Sequence, residues 1–330
     1  MERLTQVKTW LQQVIPGEIY TLAPASSDAS FRRYFRISLP NRSLIVMDAP
    51  PQQENCAPFV HVAQLFNAAG VHVPEILAQD LAQGFLLLSD LGADTYLSRL
   101  NNQTADALYG DANRALIQIQ LASQPDQLPA YDAALLLREM RLFPDWYIAK
   151  HLQVQLSPSQ TAVLENALQL ILANVLAQPA VYVHRDYHAR NLMVSDLNPG
   201  VLDFQDAVYG PVTYDLVSLY KDAYIAWDEE RILDWTVRYW EAAKRAHLPV
   251  AEDFGAFYRD FEWMGMQRHI KVLGIFARLY HRDGKDGYLK DMPLVLDYLR
   301  KACERYRALG PFLELLDELH SREHQVGYTF

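Results

Sequence analysis

The chain has 330 residues, half of them apolar, 21% charged and 12% aromatic, enough to bury a large core and unlike a disordered or low-complexity chain. Its 30 basic against 40 acidic residues give a net charge of −10 and it has only two cysteines, which excludes a general nucleic-acid or anionic-membrane surface and a disulfide scaffold. No apolar run reaches the ~18 uninterrupted residues of a membrane span, and the opening MERLTQVKTW lacks a signal-peptide core, so a soluble, cytoplasmic protein is expected.

In chain order, Leu4, Val7, Leu11 and Val14 recur at helical spacing and Pro16-Gly17 end the pattern, which predicts a helix over Glu2–Val14. From Thr21 to Ala49 short strand-like runs replace it. Ser30–Ser38 alternates aromatic and basic residues, Ser43–Met47 is a compact apolar run, and Pro40-Asn41 between them reads as a hairpin turn. A helix is expected at Glu54–Ala69, with Phe59, Val62, Leu65 and Phe66 on one face and Gly70 at its end. Val71–Gln79 and Gly84–Ser89 read as further strands. Residues 1–90 are therefore expected to form a small, mostly antiparallel lobe, joined to the rest near Leu88–Gly92.

Residues 91–330 read as a mainly helical lobe. Thr104–Ala122, Asp132–His151, Ser157–Leu176 and several segments after Pro211 carry apolar residues three and four apart. Three strand-like pieces interrupt them: Ala180–Val183, Asn191–Val194 and Pro199–Asp203. They read as a pair of small hairpins, a natural platform for loop-borne functional residues.

Those pieces lie in VYVHRDYHARNLMVSDLNPGVLDFQDAVYGPVTYDL, Val181–Leu216. Asp186 and Asn191 stand five residues apart in a loop leaving a strand, and Asp203 and Asp206 follow the next strand. Phosphoryl transfer asks for these residue types: a carboxylate to receive or orient the proton of an attacking hydroxyl, and hard oxygen donors to hold magnesium on nucleotide phosphates. Asp186 is accordingly the expected catalytic residue, with Asn191 and Asp203 as metal ligands. His184 is expected to make a scaffold hydrogen bond, and Asp215 to brace the loop by accepting its N–H groups. His188 is open between a structural role and neutralising phosphate charge. Asp206 is open between contacting substrate or metal and capping a helix.

His184-x-Asp186-x4-Asn191 followed by Asp203-Phe204 resembles the catalytic and metal-binding motifs of the protein-kinase-like superfamily. With His188 two residues after the Asp, the segment resembles the aminoglycoside phosphotransferase family and the choline-kinase-like small-molecule kinases. That resemblance implies an α+β, protein-kinase-like two-lobed fold: a small antiparallel β-sheet N-lobe with one helix and a larger, mainly helical C-lobe. It also implies ATP and Mg2+ as cofactors. For the nucleotide it points to the loop before the second strand, Ser30, Phe31, Arg32 and Arg33, and to Leu88, Asp90 and Leu91. One departure stands out, because Met47 and Asp48 occupy the place of the Lys such kinases use on phosphate. Arg32, Arg33 or Arg36 would then supply the charge, or they form a solvated basic face.

For the acceptor, Leu137–Trp146 supplies Arg138 and Glu139, and Glu262–Leu279 supplies Trp263, Gln267 and Arg268. Aromatic faces, amides and forked guanidinium groups suit a polyhydroxylated ring with a carboxylate or acetamido group. These segments, with LIVMDAPP at Leu44–Pro51, resemble the branch of bacterial anomeric kinases in cell-wall recycling. The branch acts on N-acetylmuramate and N-acetylglucosamine. It implies a small amino-sugar substrate, a sugar 1-phosphate product passed to a downstream nucleotidyltransferase, no nucleic-acid or membrane partner, and a monomer. A kinase of another small hydroxyl compound, of aminoglycoside, choline, homoserine or thio-sugar type, and a nucleotide-binding pseudokinase both stay open here.

Overall fold

The computed structural model describes residues 2–27 and 31–321. It divides into two units, Met1–Asn101 with Arg190–Asp206, and Asn102–Ala189 with Ala207–Phe330.

In the first unit, α1 (Glu2–Val14) follows its apolar stripe, burying Val7, Trp10 and Leu11. These pack on Ile37, Val46 and Phe85 of the sheet. The strands are β1 (Thr21–Ser27), β2 (Arg33–Ser38) and β3 (Ser43–Asp48), then, after helix α2 (Ala57–Ala68), β4 (Ile76–Asp80) and β5 (Phe85–Ser89). They form one antiparallel sheet in the order β1-β2-β3-β5-β4. The expected turn joins β2 to β3, with the Leu39 N–H on the Arg42 carbonyl at 2.9 Å.

Among the boundaries that differ from the sequence reading, two have a local physical reason. Helix α2 starts at Ala57, not Glu54, because Pro58 fits a first turn and Asn55 accepts the Ala57 N–H at 2.9 Å. The strand expected over Val71–Gln79 begins only at Ile76. Pro74 lacks a ladder donor, and His72 bridges to Gly200 instead, its carbonyl accepting the Val201 N–H at 2.8 Å. A short α3 (Tyr96–Arg99) follows, capped by Thr95.

The second unit opens with α4 (Ala105–Leu121) and α5 (Ala133–Met140), the latter capped by Asp132. The helical segment expected over Asp132–His151 breaks near Pro144, and Phe143–His151 is π-helical. Pro144 has no N–H to continue the ladder and its ring opposes the carbonyl four residues back. Next comes α6 (Pro158–Ala177), with a Ser157–Gln160 capping box, and β6 (Ala180–Val183). The chain then enters the first unit, where β7 (Leu192–Met193) and β8 (Gly200–Val201) form a hairpin.

On its return, β9 (Val208–Pro211) pairs with β6. Of the two hairpins expected from the sequence, one therefore exists, and β6 finds its partner about 25 residues downstream. The helices α7 (Tyr214–Tyr220), α8 (Glu229–Arg245), α9 (Phe254–Asp283), α10 (Met292–Arg305) and α11 (Gly310–Ser321) complete the unit. Helix α9 extends beyond the expected Glu262–Leu279 because Asp253 caps its start and Gly284, at φ 67°, its end. It packs on α5, α6, α7, α10 and the π-helical segment. Gly274 permits the closest approach, since a Cβ there would stand 2.4 Å from the Leu142 carbonyl carbon. No helix among the described residues is long and apolar enough to cross a membrane.

Candidate active site

In the second unit, the loop leaving β6 is fixed through its backbone. Asp215, buried at the start of α7, accepts the His184 N–H at 2.6 Å and the Arg185 N–H at 3.0 Å, one on each oxygen. His184 Nδ1 accepts the Asp186 N–H at 3.2 Å, and Tyr187 Oη donates to the Ala112 carbonyl at 2.8 Å. Arg185 sits at φ 77°, a conformation few non-glycine residues adopt and one these anchors enforce. Burial pushes the Asp215 carboxyl up to about 7 against the two N–H bonds.

Asp186 shows the opposite balance. Loss of solvent would raise its pKa, but Lys271, Arg268, His188 and His184 outweigh that and hold it at about 2. The cations are held in turn. Glu139 is buried, with Arg185 and Lys271 ion-paired to it and the Tyr131 hydroxyl donating to its other oxygen. Burial acts to raise Glu139, and Lys271 and Arg185 bring it below the usual carboxylate range. Lys271 Nζ also donates to Tyr214 Oη at 2.9 Å, and Arg268 Nη1 donates to that oxygen at 3.1 Å and to the Arg185 carbonyl at 3.0 Å.

Beside this network lies a cavity of about 160 Å³. Its lining includes Asp186, His188, Arg268 and Lys271, and also Val272, Ile275 and Phe276. Of the candidate residues named from the sequence, the structure brings His188 and Arg268 to the cavity with Asp186. Glu139 does not line it, because both its oxygens are engaged within the fold. Arg138 is exposed on α5, Trp263 lies edge-on to Tyr306 at 5.2 Å, and Gln267 is fully buried. Neither Arg138, Trp263 nor Gln267 lines the cavity. Sequence reasoning named Lys271 within the acceptor segment and assigned no role to Tyr131, Arg185 or Tyr214. Arg185 and Tyr214 lay inside the quoted motif, whereas Tyr131 had no local signal.

In the first unit, the β7–β8 hairpin carries Asn191 just before one strand and Asp203 just after the other. The Leu202 N–H closes it on the Asn191 carbonyl at 2.9 Å. Asn191 Nδ2 donates to Asp203 Oδ2 at 3.2 Å, and Gln205 Nε2 donates to Oδ1 at 2.8 Å. Asp203 is at φ 64°, and Phe204 behind it packs on Phe59 and Phe66 of α2. One amide and one carboxylate converging this way fit magnesium, which takes one or two protein oxygens and completes its shell with phosphate and water. No group of three His, Cys, Asp or Glu that could hold an ion alone occurs among the described residues. Asp206 is exposed within electrostatic reach of Arg32, and the following helix is not capped by it, since α7 starts only at Tyr214.

The expected nucleotide residues divide. Ser30 lies outside the described residues. Phe31 is 61% exposed, and both its N–H and Arg32 Nε reach Glu54, each at 3.3 Å. Arg33 shares the fully buried Asp48 with Arg3, and Arg36 grips Asp90, Nε to Oδ2 at 2.6 Å. Leu88 and Leu91 are buried.

The model of the phosphotransferase enzyme family matches residues 21–254, and the chain belongs to that family. It is 52% identical over 327 residues to the N-acetylmuramate/N-acetylglucosamine kinase of Pseudomonas aeruginosa, covering 96% of this chain and 97% of that protein. The identity to the protein of the same name from Neisseria meningitidis is 48% over 336 residues, covering 100% of both. Among solved structures, the choline kinase of Streptococcus pneumoniae is similar with a TM-score of 0.65 at 11% identity, over 91% of this chain and 100% of that one. The fold is thus the α+β, protein-kinase-like one, with a small antiparallel-sheet N-lobe and a mainly helical C-lobe.

Proposed function

We propose that the chain is an ATP-dependent kinase that phosphorylates the anomeric hydroxyl of N-acetylmuramate and N-acetylglucosamine, in the cytoplasm and in peptidoglycan recycling. The observation that carries the reading is Asp186 kept ionised by a cation cluster at the edge of a cavity of about 160 Å³. The names of two full-length relatives at about half identity support the choice of sugar.

In the proposed mechanism, Asp186 accepts a hydrogen bond from the 1-hydroxyl and aligns its oxygen with the γ-phosphorus. The new P–O bond forms as the bond to the β-phosphate oxygen breaks, and the hydroxyl proton passes to Asp186. At about 2 the carboxylate is a weak base, so alignment carries more of the rate than proton removal. An anomeric hydroxyl, more acidic than an ordinary alcohol, suits that division. Asn191 and Asp203 would hold magnesium, which when bound neutralises charge on the phosphate oxygens. Leu88 and Leu91 are the proposed wall for the adenine. Arg32, Arg33 or Arg36 is the proposed phosphate cation, each of them paired here with a carboxylate, Glu54, Asp48 and Asp90 in turn. The sugar 1-phosphate product suits consumption by a nucleotidyltransferase.

The reading is tested by ADP release from Mg-ATP with each sugar in turn. Release that depends on N-acetylmuramate or N-acetylglucosamine is expected. Nucleotide binding without sugar-dependent release contradicts it.

A further inference from the structure

A guanidinium taken out of water needs a counter-charge or a full set of acceptors. Arg185 and Lys271 have theirs in Glu139. Arg268 does not. It is only 5% exposed and lines the cavity, yet among the described residues it forms no ion pair. Its Nη1 is bonded to two neutral oxygens, the Arg185 carbonyl and the Tyr214 hydroxyl. That leaves Nε and Nη2, the edge that grips a planar carboxylate bidentately. The carboxylates acting on it through space are Asp186 and Asp222, and Asp186 is assigned to the reacting hydroxyl. Lys221, also buried on the cavity lining, forms no ion pair either, its ammonium lying 5.2 Å from the Phe261 ring centre.

We propose that Arg268 is a specificity-determining residue that binds the lactyl carboxylate of N-acetylmuramate, so that the site selects a carboxylate-bearing amino sugar over its uncharged counterpart. The proposal rests on the functional reading above and adds the group recognised and the residue that recognises it. In N-acetylmuramate the carboxylate hangs from the oxygen on C3, two ring carbons from the reacting hydroxyl. A sugar seated with that hydroxyl on Asp186 carries its anion to the neighbourhood of the same carboxylate. Two anions so close require a cation, and Arg268 lies within electrostatic reach of Asp186. Val272, Ile275 and Phe276 on the cavity wall suit the methyl groups of the lactyl and acetamido substituents. N-acetylglucosamine offers no counter-charge and leaves the guanidinium unpaired.

The test pairs a ligand change with a residue change. Calorimetric titration of the wild-type chain with N-acetylmuramate and with its lactyl amide needs no variant. The acid is expected to bind at least about tenfold tighter, the worth of one charge-assisted bond. Equal binding overturns the proposal whatever the turnover. In kinetics, Arg268→Met should lower the ratio of kcat/KM for N-acetylmuramate to that for N-acetylglucosamine by about tenfold or more, with Arg268→Lys restoring part of it. An equal loss on both sugars makes Arg268 a brace for the loop and overturns the proposal, as does an unchanged ratio. If the wild type phosphorylates neither sugar, the functional reading fails, while the titration still decides the carboxylate contact.

Discussion

At the scale of single residues, the chemistry follows from how unequal environments sort similar groups. Asp186 and Asp215 are both carboxylates of one loop-and-helix junction, yet one is held at about 2 by cations and the other is pushed by burial to about 7. The first is assigned the reacting hydroxyl, and the second holds the backbone. Asp186→Asn keeps the shape and removes the charge, so turnover should fall about 10²–10⁴-fold while nucleotide binding and the unfolding midpoint stay near wild type. Near-normal turnover would remove Asp186 from the mechanism. His269 gives a pH test. Burial holds it neutral, down to about 3, while its Nε2 contacts the Lys221 carbonyl at 3.2 Å. The unfolded chain binds this proton below about 6.5, so stability from His269 is complete above that pH and is lost as pH falls toward 3. His269→Gln cannot titrate, and urea midpoints at about pH 7.5 and about pH 5 should converge relative to wild type. An unchanged acid slope would mean the imidazole is not held neutral.

At the scale of elements, two contacts set the geometry. Helix α9 carries both Arg268 and Lys271 and is seated by Gly274 against the Leu142 backbone. Gly274→Ala should cost about 1–3 kcal/mol, read as a lower denaturant midpoint at unchanged slope. A midpoint equal to wild type would show that the approach is looser. The β7–β8 hairpin carries Asn191 and Asp203, so Asp203→Asn should weaken nucleotide binding in the presence of magnesium and leave it little changed without the ion. Equal weakening in both conditions would assign Asp203 a role other than metal binding. These elements were not equally legible beforehand. Helix α1 could be read to its last residue, because Val7 and Leu11 mark its stripe and Pro16-Gly17 stop it. The π-helical segment could not, since Pro144 announces a break but not which hydrogen-bond pattern replaces the helix. The β6–β9 pairing joins Val183 to Val208, a distance over which local periodicity carries no information. Within the candidate site, Asp186, Asn191, Asp203 and Asp215 were read from the resemblance of their order and spacing to kinase motifs. The engagement of Glu139 with Arg185, Lys271 and Tyr131 was not legible, because it joins α5, the β6 loop and α9.

At the scale of the whole molecule, the motif-bearing chain belongs to two units at once. Asp186 lies in one, and Asn191 and Asp203, 5 and 17 residues later, in the other. The absence of the usual Lys on β3 is likewise a property of a whole lobe. Asp48 in that region is fully buried and takes Arg3 from α1 and Arg33 from β2, so α1 is tied to the sheet by charge as well as by Trp10 and Leu11. The overall charge of −10 sets a cation-lined cavity inside an acidic protein, a contrast that suits a small anionic acceptor and not a polycationic one. The central claim is transfer to an anomeric oxygen, and phosphorus NMR on the protein with Mg-ATP and N-acetylmuramate, then N-acetylglucosamine, tests it most directly. A new glycosyl 1-phosphate resonance growing as ATP is consumed is the expected result. A 6-phosphate resonance, or no transfer to either sugar while ATP binds, would contradict it.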